Sequence, residues 1–576
     1  MRDYRHTGRG GGEAGWLRDL LTLLLALAVP FVQFLGALPL LDPDEGRYAE
    51  IPREMLERGD LITPTLNYVK YFEKPPLLYW LNAASLKLFG ITEFAARLPS
   101  ALCGLATVLV TYWIGRRLYG RRTAMIAAAM LGTTAGFVMQ SRIILTDMLL
   151  TCCLTLCLGA FIVAAQRNER RDGPLTWMLM YLGAGLAVLA KGLIGIVFPA
   201  GIIFFYLLIS REWRLLGRMR LVTGLLLFLA VTVPWFVAVS VRNPEFPRFF
   251  FIHEHFERFT STVHGRYQPI WFFVPVLLGT MFPWAVFVPG AVSRAWRNRH
   301  HDGGSAGLYL FIWAAVIFLF FSKSSSKLVP YILPIFPALA LLIAERFNAL
   351  LDGRGRELKL GAVIVGGMLL VLGVAALGFG YLPQVSGLLT ELFPRLGGPV
   401  RQFVANAPQV SIPACLAIGG LFLLQAVMVL HAAGRNPMRM LIVLCAASFV
   451  LVILVPRLIM GDIARAESSR DLAKAVTALG GPDTRVVTFG PLQGISWYTG
   501  RRVMVTGKVD ELEFGSRQGD QKAWFPDVDT VISLWGGDSH LLVVLKRHEL
   551  AGLMPRLVPA PVIRAETRRY LLISNR

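Results

Sequence analysis

Charge in this chain is concentrated between residues 42 and 76. Two stretches frame the segment: Asp42-Pro43-Asp44-Glu45-Gly46-Arg47-Tyr48-Ala49-Glu50-Ile51-Pro52-Arg53-Glu54, and Tyr71-Phe72-Glu73-Lys74-Pro75-Pro76. Together they span eight acidic and five basic side chains, in a chain that is only 16% charged and 55% hydrophobic. The segment follows the first long apolar run, so it emerges at a membrane surface. An unpaired charge at mid-bilayer costs about 2.5–3.5 kcal/mol, so charges kept close to lipid are candidates for chemistry. Arg47 and Lys74 at headgroup level suit a phosphate, and Tyr48 and Tyr71 fall in the same segment. A carboxylate beside them, Asp44, can act on a hydroxyl or stabilise a sugar cation.

More residues of these types fall on the same side of the membrane. They are Arg142, Asp147, Lys191, the run His253-Glu254-His255, Arg258, Lys323, Lys327 and Tyr331. Each has a plainer reading. Asp44 can simply answer a helix dipole, and Asp42 with Glu45 fits a D-x-x-E capping box, which makes Asp42 structural. Glu73 and Lys74 can pair with each other at the surface, which is worth little. Lys191 can snorkel from a helix end, and Glu254 and Arg258 can staple one turn. His253 and His255 tempt a metal reading, but residues two apart on a helix face different ways. One histidine could pair with a distant Glu73, but the residues alone favour a reading without metal.

The elements that must carry these residues are membrane helices. With 576 residues and mean hydropathy +0.55, the chain reads as polytopic. Thirteen candidate spans lie near 17–41, 95–115, 122–140, 145–165, 175–190, 192–209, 220–240, 270–290, 305–323, 328–345, 359–382, 411–432 and 438–458. The run 177–209 holds 33 residues and one charge, Lys191. As one helix it would be roughly 50 Å long against a hydrocarbon core of about 30 Å, so it predicts two helices turning at Lys191-Gly192. With the N-terminus inside, all seven inside segments are basic, and the tail 459–576 falls outside. The predicted architecture is an all-α polytopic membrane domain over 1–458, with the loop 42–94 carrying the active site. A small soluble α/β domain over 459–576 follows, with strands near 485–489, 503–506, 541–546 and 570–573 and a helix near 468–479. Short helices are expected over 45–58 and 77–89, lying in the interface.

Composition excludes other classes. The net charge of +21 is spread over short loops, and the tail is nearly balanced, with 16 basic and 13 acidic residues, so no nucleic-acid partner is expected. The six cysteines sit in apolar runs and read as packing residues. The first apolar run lacks a small-residue cleavage site and reads as an uncleaved helix. No Walker-type loop or dinucleotide fingerprint is present, so no nucleotide cofactor is expected.

The motif Asp-Glu-Gly-Arg-Tyr-Ala-Glu-Ile (44–51), with Tyr-Phe-Glu-Lys-Pro-Pro-Leu-Leu-Tyr-Trp (71–80), resembles the aminoarabinose transferases that modify lipid A. Thr146-Asp147, Ala190-Lys191-Gly192, Glu254-His255-Phe256-Glu257-Arg258-Phe259 and Ser326-Lys327-Leu328-Val329-Pro330-Tyr331 fit the same pattern. That family belongs to the C-type membrane glycosyltransferases (GT-C), relatives of the protein O-mannosyltransferases. The resemblance covers roughly 40–345, fades after 350, and gains little from the tail. It implies a bacterial inner-membrane enzyme with a cytoplasmic N-terminus and a periplasmic tail, acting as a monomer. The donor would be 4-amino-4-deoxy-L-arabinose on undecaprenyl phosphate, and the acceptor a lipid A phosphate. The product would lower surface charge and confer polymyxin resistance. Asp44 and Asp147 would be catalytic. Arg47, Tyr48, Tyr71, Lys74, Lys191, Arg258 and Tyr331 would hold the carrier phosphate. Glu73 with His253 or His255 would bind a divalent metal, which the resemblance implies is zinc.

Two alternatives keep part of this reading. One is a polyprenyl-phosphate-hexose enzyme acting on a protein or glycan. The other is a lipid or sugar transporter, which would place ionisable groups at mid-membrane on broken helices in repeated halves. Here the charges gather at one face and no repeat is evident.

Overall fold

The computed structural model describes residues 12–166, 173–257, 268–300, 304–351, 356–392, 410–433 and 437–576. Ten of its helices are long and apolar enough to cross a membrane, and two bent pairs raise the number to twelve. The bent pairs are Arg121–Gly132 with Ala135–Ser141, at 65°, and Phe273–Thr280 with Trp284–Arg297, at 115°. The 17-residue apolar helix Ile194–Ser210 occupies the remaining expected span. Every predicted span therefore has a helical counterpart. The long run 177–209 breaks where its length requires. The helix Gly173–Lys191 ends at Gly192, whose φ of +85° turns the chain, and the next helix begins at Ile194. Only a residue without a Cβ takes that conformation at little cost.

The charged loop folds as helix, hairpin, helix. The first helix, Asp44–Arg58, closes on Gly59 at φ +65°, whose N–H bonds the Leu56 and Met55 carbonyls. Tyr48, Ile51 and Met55 share its buried face, as their spacing predicts. Residues 65–66 and 69–70 pair as a two-stranded ribbon. The second helix, Leu77–Phe89, follows Pro75-Pro76. The first helix is buried along most of its length, and the second buries one face, with Leu78 and Tyr79, and exposes Leu81, Leu88 and Phe89 on the other.

The tail forms a five-stranded sheet. Met504–Thr506, Arg485–Phe489 and Leu541–Lys546 run parallel in that spatial order, and Tyr570–Ser574 and Val562–Glu566 add antiparallel at one edge. Four of the strands match the alternation read from sequence. Val562–Glu566 was missed because it is an exposed edge strand with Arg564 and Glu566 inside it. The last apolar helix, Pro437–Glu467, runs beyond residue 458, so the sheet region begins only with the helix Arg470–Leu479.

Candidate active site

The first-loop helix is fixed at its start by a buried ion pair. Glu45 accepts from Arg97 Nε at 2.9 Å and Nη2 at 2.6 Å, with both side chains almost fully buried. It also accepts from the backbone N–H of Leu41 at 2.9 Å and of Ile144 at 3.1 Å. One carboxylate thus ties the first-loop helix, the span Glu93–Tyr119 and the link leading into Thr146–Ala165. That link sets the position of Asp147. Arg97 is completed by the carbonyls of Leu35, Leu38 and Pro39, so both members of the ion pair are satisfied.

The capping box expected at Asp42 and Glu45 does not form. The residue before the helix is Pro43 and no side chain caps it. Glu45 is held by Arg97 instead. Asp42 turns away to the tail, where Oδ2 accepts from Ser469 N at 3.0 Å and Oγ at 2.6 Å, and Oδ1 from Gly494 N at 2.9 Å. Three donors from two separate tail segments thus satisfy the carboxylate.

Downstream of Glu45 the candidate residues converge. Arg47 is buried, and its two terminal nitrogens pair with Asp44 of its own helix and with Glu511 of the tail. Its Nε has no partner among the described residues. Its guanidinium lies 5.0 Å from the Tyr48 ring centroid, and Tyr48 stacks on Tyr79 at 6.3 Å. Asp44 keeps half its side chain exposed. Tyr71 is buried and its hydroxyl has no hydrogen-bond partner among the described residues. Burial pushes the pKa of Tyr71 well up, with Arg47 pulling it down and Glu73 and Tyr48 adding to the rise. Burial does the same to Tyr48, which also feels Arg47, Asp44, Glu73 and Asp147. Asp44, Arg47, Tyr48, Tyr71, Glu73 and Asp147 therefore share one electrostatic neighbourhood. Lys74 donates to the Glu73 carbonyl at 2.8 Å.

Asp147 and Lys191 pair at 2.6 Å, both largely buried. Lys191 Nζ also lies 4.7 Å from the Tyr331 ring centroid, a cation–π distance. Lys191 thus folds inward rather than snorkelling. Lys327, buried, donates to the carbonyls of Gln268 at 2.8 Å and Ser324 at 2.5 Å. The backbone of Arg248–Glu257 is helical, but the side chains of His253, Glu254 and His255 lie outside the described residues, as does Arg258. No group of three or more metal-type side chains converges among the described residues.

Two members of this cluster escaped the sequence. Glu45 was read as a cap. Glu511 sits in the polar tail, where nothing in its neighbourhood points to a site. Burial raises the Glu511 pKa against the pull of Arg47, with Glu73, Asp44 and Asp510 raising it further. Two carboxylates, Asp44 and Glu511, therefore share one guanidinium, and Glu73 adds negative charge beside Glu511. Chemically, the arrangement offers cations and phenols to a phosphate and an exposed carboxylate to whatever the phosphate carries.

Comparison with known proteins is consistent with this geometry. Residues 21–250 match the family model of dolichyl-phosphate-mannose-protein mannosyltransferase, and residues 472–575 match that of the aminoarabinose transferase C-terminal domain. The second match corrects the expectation that the tail adds little to the resemblance. An undecaprenyl phosphate-alpha-4-amino-4-deoxy-L-arabinose arabinosyl transferase of Erwinia tasmaniensis is 33% identical over 61% of this chain and 63% of its own length. That of Pectobacterium carotovorum is 34% identical over 64% of this chain and 66% of its own. The chain thus spans just under two thirds of these relatives. The crystal structure of ArnT from Cupriavidus metallidurans bound to undecaprenyl phosphate superposes with TM-score 0.81 at 29% identity, covering 98% of this chain and 99% of that one. An archaeal oligosaccharyltransferase from Archaeoglobus fulgidus shares the fold, at TM-score 0.52 and 14% identity. Family models at both ends of the chain and a structural match over nearly all of it agree that the chain is similar to the aminoarabinose transferases and has the C-type membrane glycosyltransferase fold.

Proposed function

We propose that the chain is a membrane glycosyltransferase that moves 4-amino-4-deoxy-L-arabinose from undecaprenyl phosphate to a phosphate of lipid A. The observation that carries this reading is the Asp44–Arg47–Glu511 group, with Tyr48, Tyr71, Glu73, Asp147 and Lys191 around it, on a fold matched over 98% of its length by an undecaprenyl-phosphate-bound relative. In the reaction the bond from the sugar's anomeric carbon to the carrier phosphate breaks, and a lipid A phosphate oxygen forms the new bond. The departing carrier phosphate gains charge. Arg47, Lys74, Lys191 and Arg258 neutralise it where water is scarce, with Tyr48, Tyr71 and Tyr331 as donors. The acceptor phosphate is already nucleophilic, so Asp44 and Asp147 act by orientation and by stabilising positive charge on the sugar.

Glu73 with His253 or His255 would hold a zinc ion, which would add positive charge beside the carrier phosphate. Glu73 supports this by standing among Tyr48, Tyr71 and Glu511, and carboxylate with imidazole is half of a tetrahedral zinc set. The protein would sit in a bacterial inner membrane as a monomer, with the site and the tail in the periplasm and the N-terminus in the cytoplasm. The basic segments on the opposite side support that orientation.

The test is expression in a strain that lacks its own aminoarabinose transferase. The wild type should restore polymyxin resistance, and lipid A should gain the mass of the aminopentose. Asp44→Asn should abolish both at normal protein level, since Asn keeps the shape and removes the charge. Full resistance in the Asp44→Asn variant would make Asp44 structural. No added mass with the wild type would shift the reading to a hexose donor or a different acceptor.

A further inference from the structure

In the Arg47 group the cation is buried and its partners are open. The Arg47 side chain is 8% exposed, against 19% for Glu511 and 50% for Asp44. Each acid gives Arg47 one oxygen and makes no other hydrogen bond among the described residues. Oδ2 of Asp44 and Oε2 of Glu511 are therefore unpartnered there. Glu73 adds negative charge beside Glu511. The Tyr71 hydroxyl, almost fully buried and within the field of Arg47 and Glu73, also lacks a partner among the described residues. Burying a phenol with nothing to bond costs stability, so its position marks where a ligand group arrives.

A carrier phosphate does not answer these carboxylate oxygens, because it is itself an anion. A cation does. The acids do not converge as a metal-ligand group among the described residues. A primary ammonium is larger and carries three N–H donors in fixed directions, so it can bond a carboxylate and a phenol that stand apart. The donor sugar proposed above carries such a group. Its amine stands on the ring carbon opposite the anomeric carbon, so one acid can hold it while Asp44 faces the bond that breaks. Glu511 also lies within 472–575, which match the aminoarabinose transferase domain, and outside 21–250, which match the mannosyltransferase model. Mannose has no amine to be recognised.

We propose that Glu511 is the specificity residue for the donor sugar: Oε2 accepts from the sugar's ammonium while Oε1 keeps Arg47 in place, and the Tyr71 hydroxyl is a second acceptor. This rests on the amino-sugar transfer proposed above. The test uses the full-length protein in detergent, lipid A as acceptor and two synthetic undecaprenyl phosphate donors. One donor bears 4-amino-4-deoxy-L-arabinose, and the other bears L-arabinose, with a hydroxyl in place of the amine. The wild type should favour the amine by about ten- to hundred-fold in kcat/KM, the size of one charge-assisted contact. Glu511→Gln should cut that preference about ten-fold or more. A misplaced Arg47 or a smaller folded fraction slows both donors alike and cancels in the ratio. Where Glu511→Gln turns over too slowly, donor binding by native mass spectrometry gives the same ratio. Glu511→Asp keeps the charge and should keep most of the preference. A wild type that uses both sugars alike would overturn the recognition and leave the transfer reaction standing. So would a preference that survives Glu511→Gln, or one lost equally in Glu511→Asp and Glu511→Gln. A wild type that transfers neither sugar would overturn the reaction and the recognition together.

Discussion

Arg47 is one cation shared by two carboxylates, and its second partner comes from the far end of the chain. Without Glu511 the guanidinium would keep Asp44 alone and could turn about that single contact. Glu511 thus acts as a positioning residue: it takes one terminal nitrogen of Arg47 while Asp44 takes the other, and so fixes the plane of the guanidinium. Glu511→Gln keeps a hydrogen-bond acceptor and removes the charge. Its turnover number should fall about ten- to hundred-fold, the equivalent of roughly 1.5–3 kcal/mol for a charged contact. Melting temperature should hold, and Glu511→Asp should recover part of the rate. Steady-state transfer assays that separate kcat from KM decide the point. A loss of rate that tracks a loss of melting temperature would make Glu511 merely structural. Removing the metal proposed at Glu73 is a separate measurement at this scale. Dialysis against a chelator should lower the rate, and zinc should restore it ahead of magnesium, since imidazole suits zinc.

At the scale of elements, what was legible from sequence followed from hydropathy and length. The span set, the split at Gly192 and both first-loop helices come from those two quantities, which are local. Asp44, Arg47, Tyr48, Tyr71 and Glu73 were legible because chemistry-bearing residues are costly beside lipid. Contacts between distant segments were not legible. Asp42 looked like a cap because the cap pattern is written in four residues, whereas its real donors lie more than four hundred residues away. Glu511 and the Glu45–Arg97 pair are hidden for the same reason. The Glu45–Arg97 pair also carries a prediction. It joins the first-loop helix to two spans, and both partners are nearly fully buried. Glu45→Ala strands the Arg97 cation and should cost about 3–5 kcal/mol. Replacing both, with Glu45→Leu and Arg97→Met, should recover most of that stability in detergent unfolding while transfer activity stays low. Such a split would place the pair's role in register rather than in stability. If the double variant is as unstable as Glu45→Ala, the stranded charge is not the cause.

At the scale of the molecule, the tail and the membrane domain are interlocked. Asn67 exchanges hydrogen bonds with the backbone of Val503, at 2.9 and 3.1 Å. Phe514 packs on Phe72 and Phe249. Gly46 and Gly494 approach so closely that a Cβ on Gly46 would stand 2.7 Å from the Gly494 nitrogen. At the centre of this contact is Asp42, with no cation bonded to it among the described residues. Burial raises its pKa from 3.8 to about 6, against the three donors from Ser469 and Gly494, and Glu45 adds to the rise. Tyr570, Glu467, Arg569, Arg470 and Glu93 surround the contact. Because the folded-state value is raised, the folded form holds its proton longer than the unfolded chain does. The stabilising contribution is complete below about pH 4 and is lost as pH rises through about 6. The shift of about two units corresponds to roughly 3 kcal/mol as an upper bound. The junction should therefore be more stable at pH 4.5 than at pH 7. Thermal unfolding in detergent should show a melting temperature that falls across that interval and then levels. Asp42→Asn should flatten the dependence, because the replacement does not titrate, and should lower stability at pH 7 by turning an N–H toward Ser469 and Gly494. Limited proteolysis of the tail gives an independent readout, since cleavage within 470–576 should quicken as the pH is raised. A pH dependence that survives in Asp42→Asn would assign it to another group and remove Asp42 from the account.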